Sequence, residues 1–238
     1  MTNTTTISIQ RAAARAHTDI DWLDSWHSFN FGGHYRRGED GHGLLLVNTD
    51  ATVAPGGGFG THPPRDMEII TWVLAGRLEH RDSEGNHGIL YPGLAQRMSA
   101  GRGIRHSEQN ASTTEPVHFV QMWVQPDTLG IAPGYEQLDV NAALDAGGLV
   151  PIASGQGHPG SIAIHQRDAV LWGARVQPGQ SVTVPDDAHV HVFVAAGSAE
   201  LAGHGLLATG DAARLIHAGP LEVTAAGDGA ELLVWATA

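Results

Sequence analysis

Val73-Leu74-Ala75-Gly76-Arg77-Leu78-Glu79 and Val194-Ala195-Ala196-Gly197-Ser198-Ala199-Glu200 share one pattern: an apolar run, a glycine, and a short segment that closes on glutamate. Farther on, Gly88-Ile89-Leu90-Tyr91-Pro92-Gly93 matches Gly205-Leu206-Leu207-Ala208-Thr209-Gly210, and the offset drifts only from 121 to 117 residues. A spacing held across two matches marks duplication of one structural unit. Each copy reads as strand, glycine turn, strand, the signature of a hairpin. The chain therefore reads as all-β, with two β-barrels in tandem.

The flanking sequence agrees. Glu68-Ile69-Ile70-Thr71-Trp72-Val73-Leu74 and His118-Phe119-Val120-Gln121-Met122-Trp123-Val124 are β-branched and aromatic runs of strand length, and Leu44 to Asn48 is a shorter one. In the second half, Val170-Leu171-Trp172, Ser181 to Val184, Val190 to Val194 and Leu232 to Trp235 repeat the theme between Gly, Pro and Asp turns. The 31 glycines and 12 prolines supply the punctuation, and 238 residues suffice for two barrels. From Pro126 to Pro159 periodicity fades, with room for one short helix over Asp139–Ala146. Residues 1–128 are thus assigned to an N-terminal barrel, 129–160 to a linker and 161–238 to a C-terminal barrel.

Charge and composition exclude several classes. Thirteen Lys and Arg against 25 Asp and Glu give a net charge of −12, which repels a nucleic-acid backbone. No apolar run approaches the roughly 18 residues of a membrane span, and Met1 to Thr6 lacks the basic start and apolar stretch of a secretory signal. A soluble cytoplasmic protein is expected. With no cysteine and 15 histidines, any metal must be held by nitrogen and oxygen.

Two segments carry the chemistry: Gly60-Thr61-His62-Pro63-Pro64-Arg65-Asp66-Met67-Glu68 and Gly101-Arg102-Gly103-Ile104-Arg105-His106-Ser107-Glu108-Gln109-Asn110. Alternate residues of a strand share a face, so His106 and Glu108 project together, and His62 joins them from a neighbouring strand. Two imidazoles and a carboxylate form the donor set of non-haem iron(II) oxygenases, which keep open positions for substrate and dioxygen. His17, His80, His87, His158, His165, His204 and His217 read as surface or hydrogen-bonded core residues. Arg65 and Asp66 read as a loop ion pair, Asn110 as a turn cap, and Trp72 and Trp123 as core.

From Gly58 to Asn110 the chain resembles the pirin family: the glycine-rich turn, His62-Pro63 and Arg65-Asp66-Met67-Glu68-Ile69, the hairpin Glu79-His80-Arg81-Asp82-Ser83, and Gly103-Ile104-Arg105-His106-Ser107-Glu108 ending at Asn110. Trp22-Leu23-Asp24-Ser25 and His27-Ser28-Phe29 extend the likeness, which is strong over residues 10 to 125. Pirins are bicupins, and the resemblance implies two cupin (jelly-roll) barrels, the first holding one divalent metal, iron(II) by expectation, through three histidines and a glutamate. It places His62, His106 and Glu108 among those ligands and implies activity like that of quercetin 2,3-dioxygenases on a small aromatic substrate. Glu108, ligand and carboxylate, is then the expected base.

One departure stands out. Two residues after His62, where the family has its second histidine, this chain has Pro64, which offers no side-chain donor. That leaves a three-donor site, a site with a substitute ligand, or no bound metal. Glu68 is the nearest substitute, with His34 and His42 as further candidates. A degenerate site favours an alternative reading, a non-catalytic or redox-sensing regulator that acts on a protein partner. By the repeat, His62, His106 and Glu108 map near Thr183, Val223 and Ala225, so the His189/His191 pair reads as structural and the second barrel as lacking the ligands.

Overall fold

The computed structural model describes residues 4–238. Its first half runs through β1 (Thr6–Gln10), β2 (Ala16–Ile20), β3 (Leu23–His27), β4 (Leu45–Val53), β5 (Gly58–His62), β6 (Glu68–Ala75), β7 (Leu78–Asp82), β8 (His87–Leu90), β9 (Leu94–Ser99), β10 (His106–Asn110), β11 (Val117–Val124) and β12 (Gly134–Asp139). After the helix α1 (Asn141–Asp145) come β13 (Val150–Ser154), β14 (Ile162–Ala163), β15 (Ala169–Val176), β16 (Ser181–Thr183), β17 (His189–Leu201), β18 (Gly205–Ala208), β19 (Ala212–Ile216) and β20 (Glu222–Thr237). The all-β reading holds, in two barrels.

The first barrel sets a seven-stranded sheet, ordered β12-β9-β6-β11-β4-β3-β2, against a four-stranded one, β5-β10-β7-β8. The second is a nine-stranded sheet whose main path is β1-β19-β17-β20-β15-β13-β14, with β16 on β20 and β18 on β17. The repeated glycine proves to be a backbone requirement in both copies. Gly76 and Gly197 each take φ of 76°, and a Cβ there would sit 2.5 Å from the Pro116 carbonyl oxygen or 2.0 Å from that of Gly229. A left-handed turn pressed against a neighbouring chain admits no other residue cheaply.

β6 is buried on both faces from Glu68 to Val73, which is why it reads as a nearly continuous apolar run, whereas β11 keeps His118, Gln121 and Trp123 half-buried. On one face Ile70, Trp72, Val120 and Met122 join Leu171, Phe193, Leu233 and Trp235 in a core shared by the two barrels. On the other, Val73, Val117 and Phe119 fill the first barrel together with Leu78 and Leu90. The second barrel has its own core around Val192, Leu201, Leu215 and Val234.

The boundaries are less simple than the sequence implied. β1 leaves the first half and pairs with β19, its Ile7 and Ile9 lying on the core of the second barrel. The span read as a linker holds ordered structure: β12 extends the first barrel by pairing with β9, and β13 joins the second by pairing with β15. The expected short helix is α1, between them.

Candidate metal centre and its cavity

β10 is the backbone of the site. Its burial alternates, with His106, Glu108 and Asn110 turned inward. On one side it pairs with β5, His106 opposite His62, and a register shift follows before Glu108 meets Phe59. On the other side it pairs with β7, placing Glu108 opposite His80 and His106 opposite Asp82. Residues directly across a ladder share a face. The structure therefore brings together His80, His106 and Glu108, whose ligand atoms all lie within 4.8 Å of one another.

His106 is buried, and neither ring nitrogen has a hydrogen-bond partner among the described residues. Burial, then the neighbouring His62 and His80, push its pKa down to about 3, so the ring is neutral and its lone pair free. His62 lies beside it, ring centroids 4.2 Å apart, and its Nδ1 donates to the Gly60 carbonyl at 2.9 Å, leaving Nε2 as the free nitrogen. Glu108 is buried, which pushes its carboxyl up, while Gln121 opposes this by donating from Nε2 to both carboxylate oxygens at 2.9 Å. Trp123 Nε1 in turn donates to Gln121 Oε1 at 3.0 Å and fixes the amide. Unpartnered imidazole nitrogens beside a buried carboxylate fit a divalent cation, which needs neutral histidine and ionised carboxylate ligands.

His80 was not singled out in the sequence. It is fully buried, with Nε2 3.3 Å from Asp82 Oδ2 and its ring stacked 4.9 Å from that of Tyr135. Only the β7–β10 register reveals that it faces Glu108, and register is invisible to spacing along the chain. Glu68, the expected substitute donor, is corrected. Its Oε2 accepts from Ser99 Oγ at 2.9 Å and from the His165 backbone N–H at 3.1 Å, at the junction with the second barrel. His34 and His42 are likewise engaged elsewhere, with Thr18 and the Leu215 carbonyl. Pro64 itself is buried and accepts through its carbonyl from the Ile104 N–H.

A cavity of about 480 Å³ opens onto His62, Glu108 and Gln121. Its walls are Trp22, Phe31, Phe59, Phe119 and Trp123, so Trp123 is cavity wall, whereas Trp72 is core as expected. The cavity is also lined by His27, Ser25, Thr18 and Thr49, with His27 Nδ1 3.0 Å from Thr49 Oγ1. The size suits a small organic molecule, and the mixture of aromatic walls with a few polar groups is that of a ligand site. In the second barrel His191 is buried and packs near Phe29 and Phe193. Asn110 caps its turn by donating to the Val53, Ala54 and Glu115 carbonyls, and Arg65 pairs with Asp66.

Two jelly-roll barrels, the first carrying a histidine–glutamate cluster at the end of an aromatic cavity, define a tandem cupin with a metal-type centre. The pirin family pattern matches residues 9–124, and that of the quercetinase C-terminal cupin domain matches residues 151–235. A Mycobacterium tuberculosis protein named for an inferred quercetin 2,3-dioxygenase activity is 53% identical over 233 residues, covering 98% of this chain and 95% of its own. The Escherichia coli quercetin 2,3-dioxygenase is 43% identical over 176 residues, 74% of this chain and 75% of its own. The crystal structure of the E. coli bacterial pirin YhhW in complex with nickel(II) superposes with a TM-score of 0.89 at 35% identity, covering 98% of this chain and 99% of that one. The chain belongs to the pirin family.

Proposed function

We propose that this chain is a metal-dependent dioxygenase that acts on a flavonol-like or other phenolic substrate, with His62, His106 and Glu108 among the donors to one divalent cation. The observation that carries the reading is the aromatic cavity ending on the Glu108 carboxylate beside unpartnered histidine nitrogens. Bound there, iron(II) would supply open coordination positions for a substrate oxygen and dioxygen. Imidazole and carboxylate donors accept several first-row metals, and the pirin YhhW structure contains nickel(II).

The remaining work falls to the protein. Trp22, Phe31, Phe59, Phe119 and Trp123 bury a flat aromatic ring and keep bulk water from it. His27, Ser25 and Thr49 line the same cavity and offer hydrogen-bonding groups to a further hydroxyl of such a ring. Glu108, whose carboxyl burial holds ready to take a proton, accepts the proton of the substrate hydroxyl, and Gln121 keeps the carboxylate aimed. The test is incubation of the iron(II)-loaded protein with quercetin in air, following flavonol absorbance and oxygen uptake. Turnover well above a His106→Ala control is expected; equal rates would end the claim for this substrate.

Pro64 favours a second reading, a regulator that senses metal or redox state and acts through a protein partner. Elemental analysis separates the two: less than a stoichiometric metal in the native chain, rising in a Pro64→His variant, is the outcome the regulator predicts.

A further inference from the structure

Pro64 removes one donor from the β5 side of the site, yet the structure presents another from the opposite side. β7 flanks β10 across from β5, and its register sets His80 opposite Glu108. We propose that His80 is the substitute metal ligand of this chain, supplying from β7 the nitrogen that Pro64, just beyond β5, cannot supply; the inference rests on the reading of the cluster as a metal centre.

Three observations converge. His80 belongs to the cluster whose ligand atoms lie within 4.8 Å of one another, with His106 and Glu108. Its Nδ1 is buried and has no partner among the described residues, a costly state for a polar atom that a bound cation would relieve. Its other nitrogen is already committed: Nε2 lies 3.3 Å from Asp82 Oδ2, both side chains fully buried.

Asp82 is built to hold that proton. Its Oδ1 accepts from the Glu84 and Asn86 backbone N–H groups at 3.0 and 2.9 Å, and Asn86 Nδ2 donates to Oδ2 at 2.9 Å. The carboxylate is thus locked by the turn between β7 and β8. A carboxylate that accepts from one imidazole nitrogen fixes the tautomer and leaves the other nitrogen a lone pair aimed at a metal, an arrangement common around protein-bound cations. Asp82 acts through His80 and is a positioning residue. Stacking on Tyr135 holds the ring in that orientation.

The test titrates metal-free full-length protein with nickel(II) in competition with a chelator. His80→Gln is expected to weaken binding by more than about 10-fold, since loss of even an outer-shell partner costs that much. Adding Pro64→His to His80→Gln is expected to recover most of the affinity. If His80→Gln binds like the native chain while His106→Gln binds weakly, the centre is real and His80 is not part of it. If His106→Gln also binds like the native chain, the metal centre itself is wrong and both readings fall. A count of coordinated imidazoles by pulsed EPR of bound copper(II) in His62→Gln decides the matter even if His80→Gln fails to fold. His62 is only half-buried, so its loss spares the core. Two imidazoles, from His80 and His106, are expected in that variant; one would overturn the proposal.

Discussion

Gln121 shows how far a single residue controls the site without facing a cation. Its one amide holds both oxygens of Glu108 and is itself held by Trp123. Gln121→Leu should therefore lower nickel(II) affinity roughly 10- to 100-fold, the range for outer-shell partners, with the thermal midpoint near native. Unchanged affinity would show that the amide does not orient the carboxylate. At this scale the sequence disclosed two of the three members of the cluster. His106 and Glu108 were legible because alternation along one strand needs no knowledge of its neighbours. His80 was hidden because its relevance depends on pairing between β7 and β10, and Glu68 misled because its partners Ser99 and His165 come from elsewhere in the chain.

Among the elements, β1 is fastened at its end by the buried carboxylate of Asp211. Asp211, just ahead of β19, accepts from the Ala12 backbone N–H at 2.7 Å and from Arg11 Nη1 at 2.6 Å, tying the end of β1 to the second barrel. Burial alone would raise its pKa, but the amides of Ala12 and Ala208 and the Arg11 guanidinium outweigh it and hold it below the ordinary carboxylate value. A depressed carboxylate contributes stability above its unfolded pKa of about 3.9, and that contribution is lost as pH falls through the lower folded value. Asp211→Asn should cost about 1–3 kcal/mol at pH 7, as expected for hydrogen bonds to a charged group, with the difference from native shrinking below about pH 4. Urea unfolding at pH 7 and pH 3 measures it; an equal difference at both would refute the assignment. The excursion of β1 escaped the sequence because Ile7 and Ile9 specify an alternating strand but not which barrel covers it. β12 escaped for another reason. All but its last residue are half-buried, so it lacks the apolar alternation that marked its neighbours.

For the molecule as a whole, duplication was the legible feature, since the glycine turn is demanded in both copies and leaves a mark in each. The shared core was visible only as apolar runs without alternation, which do not say what they pack against. Spread through this body are imidazoles kept neutral. Burial, reinforced by His34, Arg15 and His17, lowers the pKa of His27 from 6.5 to about 4. Burial also lowers that of His42 to about 4, and His191 lies well below its ordinary value. Between about pH 6.5 and pH 4 the unfolded chain binds protons that the folded chain refuses, so stability is full above that window and declines through it as pH falls. The thermal midpoint should drop by roughly 5 °C or more from pH 7 to pH 5, given about 1.4 kcal/mol per pKa unit. His42→Gln, which can still donate to the Leu215 carbonyl, should flatten that decline; an unaltered slope would remove His42 from the account.

The pairing of β1 with β19 orders events at birth. Thr6–Gln10 leaves the ribosome long before the segment that must receive it, Ala212–Ile216. Until Ala212–Ile216 emerges the chain therefore carries an unmated strand with two isoleucines on one side, while the first barrel can close without it. The second barrel is a clasp fastened late, and a nascent chain stalled before Ala212 would hold that sticky ribbon open to any passing sheet edge.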